Sequence, residues 1–315
     1  MIAIHAYKQT RDIELNHLVL LTQYMSVITF KKNNPTHQFV LYTDSNTLLK
    51  YKEFGIHAIY DQINTTILDS YPIEDISKNF WASPKLWVMM HMNSPFVIMD
   101  TDLIWHGKVT DHLDYSFSYL HRESPTIYPL PHQIESREDW NWDNNIKEGF
   151  NHTHPINCAL LIFNDLDFVK KYTKYYFDFV KNNTGELLVS EDDLYFINKF
   201  GAQITMEQWL LAAMEYRENK FGNNVTSYSI LDLMAYNNRL THYDFNKSND
   251  TVYSEIEKHI YHLWGAKSHY EKGEYVLYGN VSNYLLNGCY TLIKRHKNYN
   301  HIPIIENIRL RMLSK

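Results

Sequence analysis

The stretch Ser94–Gly107, SPFVIMDTDLIWHG, runs four apolar residues, Phe96 to Met99, into two aspartates one residue apart, Asp100 and Asp102. A short apolar run bounded by turn residues, here Asn93, Ser94 and Pro95, reads as a strand buried on both faces, the kind found in sheets covered by helices. Ligands of open α/β sheets bind at the carboxyl ends of such strands. Past a strand's end the loop lets side chains at i and i+2 converge, where strand alternation would set their separation. Two converging carboxylates suit a hard divalent cation such as Mg²⁺ or Mn²⁺. The chain carries its own control: Asp165-Leu166-Asp167 has the same spacing but opens a helical pattern behind Asn164, where carboxylates complement the helix dipole. That second pair is read as structural.

Outward from this strand, the first hundred residues alternate short β-rich runs with helical ones, the pattern of a sheet with crossover helices. IAIHAY (Ile2–Tyr7) is a first strand. A helix from about His17 to Lys32 places Leu18, Leu21, Tyr24, Met25 and Ile28 on one face and stops at Asn33-Asn34-Pro35. QFVLYTD (Gln38–Asp44) is a second strand, Asn46–Phe54 a short helix closed by Gly55, and IHAIYDQ (Ile56–Gln62) a third strand. Ser83 and Pro84 are the expected N-cap and first helical residue of the helix leading to the strand of Asp100. Residues 111–150, with EDWNWDNN (Glu138–Asn145), read as a long cleft-lining loop that carries Trp140 and Trp142. PINCALLIF (Pro155–Phe163) resumes as a buried strand, and Asn164 is the expected cap of the helix after it. Further helices begin at Ser190 and Thr205, and His259–Gly265 is a last strand.

Thirty basic against 36 acidic residues, a formal charge of −6 without long blocks, exclude a nucleic-acid-coating surface as the main activity. No nucleic-acid partner is expected. Cys158 and Cys289 show no metal-ligand spacing and read as free buried thiols of a reducing compartment. With no basic-then-apolar opening segment, the expected location is cytoplasmic, where the Asn-x-Thr triplets at Asn64 and Asn151 would not be glycosylated. The segment Lys294–Lys315 is more basic than the rest; it is expected to be a solvated helical tail, with weak contact to acidic membrane lipids as the sharper alternative.

The order YTD (Tyr42–Asp44), FWASPKLWV (Phe80–Val88), FVIMDTD (Phe96–Asp102) and HLWGAK (His262–Lys267) resembles that of the GT-A nucleotide-sugar glycosyltransferases, family 8 and related bacterial members in particular. The resemblance spans residues 1–270 and implies a GT-A catalytic domain there, a Rossmann-like α/β fold with a mixed sheet flanked by helices, followed by a basic helical extension over 271–315. It implies that Asp100, Asp102 and His262 bind Mn²⁺ or Mg²⁺. Tyr7, Asp44, Lys85, Asp100, Gly265 and Lys267 would hold the nucleotide part of a nucleoside diphosphate sugar, UDP being the expected nucleotide. Asn157, Glu207 and Gln208 would face the transferred sugar, and the acceptor would be a glycan or another hydroxyl compound. Lys267 falls one residue short of the family's H-x-x-G-x-x-K spacing, and Cys158-Ala159 stand where the family has a Ser-Gly pair.

The residues admit plainer readings beside this one. Thr205 and Gln208 have capping-box spacing, Lys85 suits an ion pair as well as a phosphate, and Asp44 suits a turn. Two other activities remain open at this stage. A haloacid-dehalogenase-like phosphatase would use Asp100 as nucleophile beside Asp102, with Ser190–Asp193 (SEDD) supplying its second acidic pair. A non-catalytic relative would bind the nucleotide sugar without turning it over.

Overall fold

β1 (Ile2–Ala6), β2 (Gln38–Tyr42) and β3 (Gln62–Asn64) pair in parallel, with Ile2 opposite Gln38 and Val40 opposite Gln62. They belong to a computed structural model that describes residues 1–8, 17–72, 82–123, 143–183, 205–231, 261–262 and 275–313. Between and after them come α1 (His17–Asn33), α2 (Ser45–Phe54), α3 (Thr66–Asp69) and α4 (Ser83–Met90). Then follow β4 (Phe96–Met99), β5 (Leu103–Ile104), β6 (Phe117–Tyr119), α5 (Asn144–His152), β7 (Leu160–Phe163), α6 (Leu166–Asn183), α7 (Leu210–Lys220), β8 (Ser227–Ser229), β9 (Tyr261–His262), α8 (Tyr275–His296) and α9 (Ile302–Leu313).

The described strands form a seven-stranded sheet in the order β3-β2-β1-β4-β7-β6-β8 and a separate β5-β9 pair. β6 runs antiparallel to β7 and parallel to β8, so the sheet is mixed. This is the α/β architecture expected from the sequence, a mixed sheet flanked by helices. Contacts group the chain into two compact units, one of Met1–Asp69, Ile98–Val109 and Tyr236–Lys315, the other of Ser70–Val97 and Thr110–Ala235.

In the first unit α1 is buried almost all round: Leu20, Val27 and Phe30 are covered as fully as Leu21 and Tyr24, and Gln23, Ser26 and Thr29 are buried with them. The single-face expectation is too narrow because α8 and α9 also reach this helix. Cys289 Sγ lies 3.7 Å from the Leu21 carbonyl oxygen, and the Tyr24 hydroxyl is 3.1 Å from His301 Nδ1. A helix covered on several sides needs no polar stripe. α2 ends as expected at Gly55, whose φ of +76° is the left-handed conformation open to glycine, with its N–H donating to the Lys52 carbonyl.

The third expected strand is mostly something else. Ile56–Ile59 forms a 3₁₀ turn and only Gln62–Asn64 is extended, because Ile56 and Ile59, both buried, share one side of a turn with three residues per repeat. The C-terminal segment is docked rather than solvated. Ile304, Ile305 and Ile308 of α9 are buried, Arg311 pairs with Glu53 at 3.3 Å, and its guanidinium lies 4.6 Å over the Phe54 ring. Among the described residues no helix is long and apolar enough to cross a membrane.

In the second unit the segment 111–150, expected to be one loop, contains β6 and α5; Trp140 and Trp142 lie outside the described residues. Two expected caps are corrected. Ala82 occupies the cap position of α4, while Ser83 is already helical and its hydroxyl meets that of Tyr176. At α6 it is Asp165 that caps, its Oδ1 accepting from Phe168 N–H at 3.0 Å; the Asn164 amide instead donates to the His112 and Tyr115 carbonyls. The Asp165-Leu166-Asp167 pair is therefore structural, as its position implied. Cys158 and Cys289 are buried free thiols. The helix expected from Ser190 lies outside the described residues.

Candidate active site

In the first unit the end of β4 is a tight turn, with Leu103 N–H donating to the Asp100 carbonyl at 3.1 Å. That turn takes Asp100 and Asp102 out of the strand's alternation. Asp102 is only 3% exposed, while Asp100 is half-buried. The chain then enters β5, where Leu103 lies opposite His262 and Ile104 opposite Tyr261 in an antiparallel pair. Paired strands lie about 4.8 Å apart, so a histidine far along the chain returns to the residue next to Asp102. Among the described residues no set of three carboxylate, imidazole or thiol side chains is assembled for a metal. The two carboxylates are oxygen donors of the kind Mn²⁺ and Mg²⁺ prefer. Gly265 and Lys267 lie outside the described residues.

Within electrostatic reach of Asp102 is a residue that sequence reasoning passed over. His5 on β1 is fully buried, with Nδ1 2.8 Å from the Tyr60 hydroxyl and Nε2 3.2 Å from Ser26 Oγ. Gln23 donates its amide N–H to the same Tyr60 oxygen, so the Tyr60 O–H is directed to Nδ1 and the ring carries its proton on Nε2. Burial pushes the imidazole down to about 3, against the opposing pull of the Asp102 carboxylate. The ring is neutral at working pH. The only hint in the sequence is a polar residue within the apolar strand IAIHA.

His5 gives a pH prediction. The unfolded chain protonates this histidine below about 6.5 and the folded one only near 3, so between those values the unfolded state binds more protons. Stability therefore falls as pH drops through that window, by on the order of 5 kcal/mol over its full width, and levels off below it. Urea unfolding of wild type and His5→Gln at several pH values from 7 to 4 should show a shallower dependence in the variant. Equal slopes would mean that His5 is not buried neutral.

Near the end of β2, Asp44 is 7% exposed and Thr43 fully buried, and Asp44 Oδ1 and Thr43 Oγ1 have no hydrogen-bond partner among the described residues. Asp44 occupies the N-cap position of α2 without a side-chain cap bond, its carbonyl accepting from Leu48 N–H at 2.9 Å. Buried oxygens of this kind are costly unless something hydrogen-bonds to them, and a ribose or base would do so. Tyr7 follows β1, its N–H donating to the Tyr42 carbonyl and its ring 6.0 Å from that of Tyr51.

The second unit brings Lys85, Asn157, Glu207 and Gln208 together around residues 156–158. Lys85 Nζ pairs with Glu207 Oε1 at 2.6 Å and donates to the Cys158 carbonyl at 2.8 Å, with both side chains 9% exposed. Ile156 N–H donates to the Gln208 carbonyl at 3.1 Å. Tyr172 O–H donates to the Glu207 carbonyl at 2.7 Å. Glu207 and Gln208 stand on a π-helical turn, Thr205–Trp209, that leads into α7. Such turns recur at functional sites. Gln208 makes no capping box: its Oε1 is buried without a hydrogen-bond partner among the described residues.

Asn157 donates to Glu123 Oε1 at 2.6 Å and accepts from Ala159 N–H at 3.0 Å. Glu123 is 2% exposed and has His121 Nε2 3.9 Å away. Neither Glu123 nor His121 had any spacing signal in the sequence. The acidic pair required by a phosphatase, Ser190–Asp193, lies outside the described residues.

Three solved structures can be set beside this geometry. They are glycosyltransferases. Mouse xyloside xylosyltransferase 1 in its apo form has 9% identity, over 83% of this chain and 96% of that one, at a TM-score of 0.39. The galactosyltransferase LgtC, solved with donor and acceptor sugar analogs, has 11% identity over 83% and 86%, at 0.38. The PaToxG glycosyltransferase has 11% over 70% and 72%, at 0.38. No protein-family model and no curated protein matches the chain.

Proposed function

We propose that this protein is a metal-dependent glycosyltransferase that moves a sugar from a nucleoside diphosphate sugar, with UDP as the nucleotide, to a hydroxyl of a glycan or similar acceptor. The register of Leu103 against His262 carries the reading, since it returns one distant histidine to the D-x-D turn of Asp100 and Asp102. Those three residues would hold Mn²⁺ or Mg²⁺. When bound, the cation supplies electrostatic stabilisation to the diphosphate leaving group.

The chain's own part in the chemistry follows from charge and burial. Asp100 and Asp102 present oxygen ligands from a turn after β4, and buried, neutral His5 adds no positive charge within electrostatic reach of Asp102. Asp44 and Thr43 offer buried oxygens to a ribose or base. In the second unit, Lys85 holds the Glu207 carboxylate, and Glu123 orients Asn157. Gln208 retains an amide oxygen to accept from a hydroxyl. Carboxylates and amides fixed in this way suit sugar hydroxyls, which both donate and accept.

Calorimetric titration of UDP with and without Mn²⁺ tests the reading. UDP should bind tightly only with the metal, and a donor screen should then find a UDP-sugar whose transfer releases UDP. Metal-independent UDP binding, or release of inorganic phosphate from phosphate esters in place of sugar transfer, would overturn it.

A further inference from the structure

We propose that Asn34 is a positioning residue that holds the segment after Asp102, and through it the β5-β9 register, in the arrangement that binds the cation; this rests on the metal-dependent reading above. Asn34 follows α1 directly and is 4% exposed. Its amide reaches across to the loop behind the D-x-D turn. Nδ2 donates to the Gly107 carbonyl at 3.1 Å and to the Phe30 carbonyl at 3.2 Å, while Oδ1 accepts from Val109 N–H at 2.8 Å. One side chain thus satisfies backbone groups of a loop that belongs to no strand, from the end of a buried helix.

The span from Asp102 to Val109 is gripped along its length. At one end it continues β4 of the sheet, and at the other it is tied to Asn34. Between them Trp105 is 1% exposed, its ring 6.0 Å from that of Phe30 on α1. Gly107 lies so close over that indole that a Cβ there would sit 2.4 Å from it, so only glycine lets the chain pass. Leu103 and Ile104, which pair with β9, lie inside the gripped span. A loop without regular pairing keeps a ligand geometry only if its own backbone groups are fixed, and residues that orient metal ligands from behind are typically worth 10- to 100-fold in metal affinity.

The test compares UDP affinity with and without Mn²⁺ for wild type, Asn34→Ala and Ile305→Ala. The last is a core truncation in α9 that lowers stability without touching this loop. Asn34→Ala is expected to reduce the ratio of the two affinities by about 10-fold or more, while its metal-free UDP affinity and the ratio in Ile305→Ala stay at the wild-type values. Asn34→Asp keeps the acceptor for Val109 N–H but turns a carboxylate oxygen toward the Gly107 and Phe30 carbonyls, so its ratio should fall at least as far; Asn34→Ser, which keeps a hydroxyl and adds no charge, replaces the alanine variant should that fail to fold. An Asn34 variant that is less stable yet keeps the wild-type ratio would overturn the positioning role and leave the glycosyltransferase reading standing. A wild-type chain that binds UDP equally well without Mn²⁺ would overturn both.

Discussion

Asp102→Asn is expected to abolish metal-supported UDP binding and sugar transfer while the chain stays folded. Asparagine keeps the shape of the side chain and removes its charge, so the pair of carboxylates becomes one. The loss in metal affinity should exceed the 10- to 100-fold typical of residues behind a ligand, thus more than about 100-fold. The chain supplies the matched control. Asp167 has the same D-x-D spacing but is exposed in the first turn of α6, so Asp167→Asn should change stability by no more than about 1 kcal/mol and leave UDP binding intact. Titration of both variants with UDP and Mn²⁺, beside thermal melts, measures the contrast. Equal effects at Asp102 and Asp167 would remove the distinction on which the site is built.

The second large effect concerns Lys85. Lys85→Met leaves the Glu207 carboxylate without its cation at a site where both side chains are 9% exposed. Breaking a buried pair from one side costs about 3–5 kcal/mol, whereas removing both charges is often near neutral. Lys85→Met should therefore unfold at clearly lower urea, and adding Glu207→Gln should restore most of the loss. Transfer activity should stay low in both, since the single variant leaves the Glu207 carboxylate unheld by Lys85 and the double variant lacks it. A double variant no more stable than Lys85→Met would show that the pair is not coupled.

The sequence made the architecture legible where a strong local signal and its tertiary setting agreed. The β1-α1-β2-α2 order, the Gly55 stop and the D-x-D strand all depend on apolar period and turn chemistry, which the sheet reinforces. It was less legible where a side chain had two possible partners. Asn164 and Asp165 both cap well in principle, and the choice fell to Asp165 because two loop carbonyls claim the Asn164 amide. Ile56 and Ile59 suit a strand by composition, yet their burial three residues apart fits a 3₁₀ turn. The candidate site divides in the same way. Asp100 and Asp102 stand out because strand and carboxylates are adjacent in sequence. Glu123, His5 and Asn34 matter through neighbours far along the chain, and no local period announces them. Lys85 and Glu207 were each visible as candidate site residues, but their pairing, brought about only by the fold, was not.

The proposed site joins the imidazole of His262 to Asp100 and Asp102 around one cation. It can be tested directly by labelling the 17 histidines with ¹⁵N, identifying the His262 ring signal from a His262→Gln sample, and adding Mn²⁺ with UDP. Paramagnetic broadening should erase the His262 signal at the lowest Mn²⁺ levels and do so far less in Asp102→Asn. A His262 signal that stays sharp while UDP binds would contradict the account.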